Sequence, residues 1–471
     1  MRTLTTSMIA ASVALTLAQG AQPSAGSQEP PRQQGEVSIS ITGPPGLPPK
    51  YAVPDFIALT NDAETVAAAK TISQVLWDDL DFEREFYLIS RDTYRTIPPA
   101  TSIDQVPLDQ WKQLGADGLI IGTVRKTASG VAVQVRLIEV ASGRTALAKE
   151  YSGTLKNPRL YAHTASDEIH QQQRNLRGVA RTKLAFTSDR DGERMKGPVI
   201  DRGISNIYIS DYDGANQTRV TVSRSLDITP VWSPDRNSIA YTSYRSDFPD
   251  ILIQFIYEGK VPFKPAAGSS EKQNFLPAWS PDGTQLAFTT NRDHNNEIYV
   301  VNRDGTNLRR LTNHPAIDVT PTWSPTGNQI AFTSDRTGSP QIWIMNADGS
   351  EPQRITNEGF CDRPTWSPAP FNEIAYASRN GAGFDIKVFD FASRTSKTIT
   401  DGIGSNESPA FSPNGRHIAF TSTRAGKEQI FLIDRDGKNL RQVTRAGMNR
   451  YPNCRNRPLA EVKSQKSEVR S

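Results

Sequence analysis

A chain of 471 residues with 54 Lys and Arg against 50 Asp and Glu, net charge +4, lacks the basic footprint of a nucleic-acid binder. Its length leaves room for two or three domains with cores of their own. Its two cysteines, Cys361 and Cys454, cannot frame a disulfide-stapled fold.

The N-terminus carries Arg2, an apolar run from Met8 to Leu17 and small residues around Ala18 to Ala21. That is the three-part layout of a secretory signal over residues 1–20, and the run is short for a membrane span. It implies that the mature protein is soluble outside the cytosol. Residues 21–35 are rich in Gln, Pro, Ser and Gly, a composition expected to stay disordered. From Glu36 onward Val37, Ile39 and Ile41 alternate with Ser38 and Ser40, which reads as a strand. This segment suits the first strand of a domain or an arm that adds to a partner's sheet edge.

Residues 36–176 read as a small mixed α/β domain. The expected elements are a buried strand from Tyr51 to Leu59, a helix from Ala63 to Leu80, a short strand from Phe86 to Ile89 and a short helix from Leu108 to Leu114. A strand at Gly118 to Val124, a hairpin pairing Val131 to Leu137 with Arg144 to Tyr151, and a helix near Leu160 to Gln171 complete it. No phosphate-binding loop is present, because the glycines around Gly118 and Gly122 do not sit between a strand and a helix. His163 and His170 share a helix at a spacing that suits structural roles better than zinc ligation.

From residue 177 to 459 one phrase recurs. It reads Trp279-Ser280-Pro281-Asp282-Gly283 followed by Leu286-Ala287-Phe288-Thr289, and near-copies begin at Trp232, Trp323, Trp366 and Phe411. Leu184-Ala185-Phe186-Thr187-Ser188 repeats its second half alone. Each unit holds four short apolar segments separated by turns, with Asp-Gly hairpins at Asp213, Asp304, Asp348 and Asp436. Four-stranded units of roughly 40 to 45 residues are propeller blades. Six copies predict a six-bladed β-propeller behind the α/β domain.

The first blade lacks its inner strand, while Tyr451-Pro452-Asn453-Cys454 is left over after the last, so the C-terminal strand is expected to close the ring. Cys361 and Cys454 then belong to blades too far apart for a disulfide. Residues 460–471 are expected to form a disordered tail.

The Asp-rich turns lack the spaced ligands and closing Glu of a calcium loop. No Gly-x-Ser-x-Gly elbow accompanies the propeller. Neither a cofactor, a metal site nor an enzymatic activity is expected. One constellation remains: three residues before the Pro of each inner strand stand Asp227, Asn274, Asp318, Asn406 and Asn449, with Cys361 and the adjacent Asp362 in the fifth blade. Six-fold repetition would place them around one mouth of the central channel. They could cap their own turns, as Asx residues do, and still frame a recognition surface.

The chain resembles the TolB family, the periplasmic component of the Tol-Pal envelope system. The likeness rests on Trp111 to Val124, on His163-Thr164-Ala165-Ser166-Asp167-Glu168-Ile169, and on the six blades in this order behind a signal-like segment. The resemblance implies a non-enzymatic, monomeric adaptor that supports outer-membrane integrity and constriction at cell division. It would bind a Pal-like peptidoglycan-associated lipoprotein over the propeller mouth and a TolA-like inner-membrane protein through Glu36 to Ile41. The Pal contact would fall on Gln273, Asn274 and Leu276 and on Asp318, Val319 and Thr320. Where the family loop is typically His-Asn-Gly-Ala, this chain has Gln273-Asn274-Phe275-Leu276. A propeller binding a glycan is the alternative, with Phe275, Phe360 and Tyr451 as its aromatic candidates.

Overall fold

The computed structural model describes residues 47–194, 203–454 and 463–466. The signal-like residues, the 21–35 segment and the arm from Glu36 to Ile41 lie outside them.

The first domain is a mixed sheet flanked by helices. β1 (Lys50–Ala52) lies parallel between β3 (Tyr87–Leu88) and β4 (Gly118–Thr127), and β2 (Ile57–Ala58) pairs with the far end of β4. β5 (Gly130–Glu139) and β6 (Thr145–Gly153) extend the sheet antiparallel. The single strand expected from Tyr51 to Leu59 is therefore two short ones. Pro54 between them has no N–H to give a ladder.

Helix α1 (Ala63–Glu83) begins where Oδ1 of Asp62 accepts the Thr65 N–H at 3.1 Å. It ends at Arg84, whose φ of 57° is a left-handed cap. Ile72, Val75, Leu76 and Leu80 are buried against the sheet, alongside α3 (Arg159–Arg174). The helix runs past the expected Leu80 and presents Asp81 to Glu85 to the propeller. α2 (Leu108–Gln113) lies where expected.

Residues Lys463–Lys466 overturn the expectation of a wholly disordered tail. They form an antiparallel strand on β6, with Gln465 opposite Glu150. A polar sequence can do this because the ladder is made by main-chain groups, and β6 would otherwise present an open edge.

The propeller has six blades, built around inner strands Asp227–Trp232, Asn274–Trp279, Asp318–Trp323, Cys361–Trp366, Asn406–Phe411 and Asn449–Cys454. The last pairs antiparallel with Lys183–Ser188, Asn449 opposite Ser188, so the C-terminal strand closes the first blade. The repeated phrase is scaffold. Trp279 packs with Ala240, Ile251 and Ile253 of the preceding blade and Leu286 and Phe288 of its own. In the turn, Ser280 Oγ donates to Asp282 at 2.6 Å and Gly283 adopts φ 72°. At the hairpins Asp304, Asp348 and Asp436 each accept the backbone N–H two residues on, so these carboxylates serve their own turns.

The first domain docks on the propeller face made of these turns, at blades one and six. Asn439 Nδ2 and Arg416 Nη2 donate to the carbonyls of Phe82 and Glu83, each at 3.1 Å. The Phe82 ring stacks on His417 at 4.4 Å with Arg441 at 4.8 Å. Buried His163 lies 2.8 Å from Asp79 and 3.8 Å from Asp211 of blade one. His170, also buried, has Nδ1 2.9 Å from the Ser166 carbonyl. Both histidines are structural. The opposite face, where the second strands end and the inner strands begin, is left uncovered by the described residues of the first domain.

Both cysteines are free. Burial pushes the Cys361 thiol up to about 11 and the Cys454 thiol up to about 12, so neither is primed to react.

Candidate partner-binding face of the propeller

The first residue of each inner strand is the Asx position singled out in the sequence. Asp227, Asn274, Asp318, Asn406 and Asn449, together with Cys361, are all fully buried. Three of them reach back to the third strand of the preceding blade: Asn274 Nδ2 donates to Asp250 at 3.0 Å, Asn406 to Asp385 at 3.3 Å and Asn449 to Gln429 at 2.9 Å. They join blade to blade beneath the rim. A docked partner would meet their neighbours instead.

The other half of this arrangement escaped the sequence reading. In five blades an arginine two residues past the end of the second strand donates to the Asx side chain: Arg190 to Asn449 at 2.7 Å, Arg245 to Asp227 at 2.9 Å, Arg292 to Asn274 at 3.0 Å, Arg336 to Asp318 at 2.6 Å and Arg424 to Asn406 at 3.2 Å. Four of the guanidiniums also cover a third-strand ring, as Arg190 does Tyr208 at 4.5 Å and Arg336 does Trp343 at 4.8 Å. The signal was present as a repeated Ser/Thr-x-Arg, visible at Ser188, Ser243, Thr290, Ser334 and Ser422. In blade five, where Cys361 replaces the Asx, Arg379 follows Ser378 directly and stacks on Phe360 at 5.0 Å.

Two residues further in, every inner strand bulges. Thr229, Leu276, Thr320, Arg363, Ser408 and Tyr451 all have φ between 52° and 56°, and each is followed by proline. The bulge shifts the register, as between Phe275 and Ala278. A non-glycine residue in this region costs energy and is kept only where the surroundings fix it. Here the six residues line the wall of the central channel, a cavity of about 150 Å³.

Of the other candidates, Gln273, Leu276, Val319, Thr320 and Asp362 are half-buried at the rim. Asp362 Oδ1 accepts from Thr333 Oγ1 at 2.9 Å and from the Arg363 N–H at 2.7 Å. Apolar side chains stand out on the links into four inner strands: Val222 is 81% exposed, Ile403 57%, Ile317 45% and Met448 39%. Two of the three aromatics proposed for a glycan are engaged with other side chains. Phe360 packs edge-on to Phe384 at 5.6 Å, and Tyr451 lies under Arg363. Among the described residues no group of three or more His, Cys, Asp or Glu could hold a metal ion.

Two family models match. Residues 173–453 fit the TolB beta propeller domain and residues 37–146 the TolB amino-terminal domain. The chain belongs to the TolB family. Among curated TolB relatives, the Tol-Pal system protein TolB of Desulfosudis oleivorans is 35% identical over 263 residues, 55% of this chain and 57% of that one. The TolB of a Ruegeria species is 34% identical over 288 residues, 61% and 62% of the two chains. The matched stretches thus span under two thirds of these relatives. The crystal structure of TolB from Acinetobacter baumannii superposes with a TM-score of 0.70 at 24% identity, over 88% of this chain and 98% of that one, and shows the same fold.

Proposed function

We propose that this TolB-family protein is a non-enzymatic, monomeric adaptor of the Tol-Pal envelope system, working in the periplasm. It binds a Pal-like peptidoglycan-associated lipoprotein on the loop face of the propeller. A TolA-like inner-membrane protein is taken by the N-terminal segment from Glu36 to Ile41. Linking inner membrane to cell wall and outer membrane in this way supports envelope integrity and constriction at division.

The observation that carries this reading is the division of the two propeller faces. The turn face is occupied by the first domain, while the loop face keeps Val222, Ile317, Ile403 and Met448 exposed around a preorganised channel rim. A rigid ring with an apolar collar fits a folded protein partner, with a footprint of roughly 1,200 to 2,000 Å² in total. The anchoring Asx residues hold the loops, and Gln273, Leu276, Val319, Thr320 and Asp362 supply the contact surface.

Titration of the mature protein with the soluble domain of a Pal-like lipoprotein tests it. Ile317→Arg together with Val319→Arg should weaken binding at least tenfold, while Tyr87→Arg, exposed on the first domain, should leave it unchanged. Equal binding by both variants would remove the loop face from consideration.

A further inference from the structure

The central channel carries one charged side chain. Of all the residues that line its cavity, Arg363 alone is ionised, and six of the others are prolines, which have no N–H to offer. Arg363 is the bulge residue of blade five, with φ 55°. The Tyr451 ring, from the strand that closes blade one, lies across the channel at 4.7 Å from its guanidinium carbon. The face of the guanidinium is thereby covered, and its edge is where N–H donors remain.

Those donors have no side-chain hydrogen bond among the described residues. The nearest carboxylate, Asp362, has Oδ2 at 3.8 Å from Nε, beyond hydrogen-bonding distance, and its Oδ1 is held by Thr333 and by the Arg363 backbone. Elsewhere on the ring, Thr229 and Thr320 pair their hydroxyls with Thr242 and Thr333 at 2.9 and 2.7 Å, and Leu276 is apolar. An arginine stacked on an aromatic face, with its planar fork open, matches a carboxylate in two parallel hydrogen bonds. A cavity of about 150 Å³ is smaller than the roughly 300 Å³ at which drug-sized pockets begin, and suits the end of one side chain.

We infer that the channel is a carboxylate-binding site, with Arg363 on its Tyr451 platform as the anion-binding group and an acidic side chain of the docking partner as its ligand. This rests on the partner-binding reading of the loop face for the source of the carboxylate, but not for the site. The bulges in the other five blades carry no charge, so recognition falls on one blade of six and would orient the partner on the ring.

Propionate, the acid of a glutamate side chain, and propionamide are titrated into the full-length protein while the Arg363 Nε–H and Tyr451 ring signals are followed by NMR. Propionate should give saturable shifts and propionamide none, and Arg363→Gln should weaken propionate at least tenfold with Arg363→Lys in between. No saturable shift in the native protein, or the same affinity in Arg363→Gln, overturns the site, and the first of these needs no variant to fold. The second arm measures the soluble domain of a Pal-like lipoprotein against native protein and Arg363→Gln. A loss of at least tenfold, with propionate competing, assigns the carboxylate to the partner. An unchanged complex overturns that source. If native protein does not capture the lipoprotein at all, the partner reading fails together with the assigned source, and the propionate titration still decides the site.

Discussion

His417 Nε2 lies 3.3 Å from Glu83 of the first domain while its Nδ1 lies 2.9 Å from Asp434 of blade six. One buried imidazole faces two carboxylates, so both ring nitrogens serve as donors and the ring is held as imidazolium. At blade one His163 also stands between two carboxylates, with Nδ1 2.8 Å from Asp79 and Nε2 3.8 Å from Asp211, beyond hydrogen-bonding distance. Burial works against charge on His163, yet the two aspartates outweigh it and raise it to about 10. Burial pushes the Asp79 carboxyl up, in the opposite sense to pairing, whereas Asp211 is drawn down because His163 and Lys183 outweigh its burial. Asp211 is the firmer anion of that cluster. Burial also opposes ionisation of Glu83, which His417 nonetheless draws down to about 2.

The pH dependence follows from those directions. A histidine raised from 6.5 to about 10 adds stability that is complete below 6.5 and is lost as pH rises through 10. A glutamate lowered from 4.5 to about 2 adds stability present above 4.5 and lost as pH falls through 2. Thermal unfolding should be highest between these limits and decline steadily toward pH 10. His163→Gln should lower the plateau and flatten the alkaline limb. A midpoint in the native protein that stays level between pH 6.5 and 10 would contradict the assignment.

Asp318 and Arg336 offer a comparison the chain itself supplies. Removing the arginine leaves a fully buried carboxylate unpaired, so Arg336→Ala should cost about 3 kcal/mol or more in urea unfolding. Asp318→Asn copies the pairing of Asn274 with Arg292 and should cost under about 1 kcal/mol. Equal losses would mean that the charge, not the bridge between strands, is what matters.

Two glycines separate backbone strain from collision. Gly338 has φ 95° with open space where a Cβ would go, so Gly338→Ala should cost roughly 1 to 2 kcal/mol from the left-handed backbone alone. Gly349 has φ 94°, but its Cβ would meet the Leu311 carbonyl oxygen at 2.4 Å. Gly349→Ala should therefore cost clearly more, read from the same denaturation curves.

Deletion of residues 446–471 removes the inner strand of blade one and exposes the edge of Lys183–Ser188. The thermal midpoint should fall by roughly 10 °C or more. Asn453→Ala, which takes away only the acceptor of the Trp232 N–H at 2.9 Å, should give a fraction of that shift.

The blades were legible because each repeats the same local demands: an apolar second strand, a Ser-Pro turn, an Asp-Gly hairpin. Leu184, Ile239, Leu286, Ile330, Ile374 and Ile418 each fall on a second strand, in register. The burial of Asp227 and Asn274 was not legible, because it depends on a neighbouring blade folding over them and periodicity along one strand does not report that. Arg363 and Tyr451 stand far apart in the chain and meet only once the ring exists. The contacts of His163 with Asp79 and Asp211 likewise span two domains. Pro54 did announce the break between β1 and β2, although the apolar run around it reads as continuous.

The pairing of Asn449 with Ser188 joins strands 261 positions apart, 449 less 188, at the two ends of the propeller. Contacts so distant are the slowest to form, because nearly the whole domain must be in place before they repay the entropy of closing the loop. A chain emerging from synthesis therefore keeps an open ring until its last blade strand is available. Without Asn449–Cys454 the strand Lys183–Ser188 is left with an unpartnered edge.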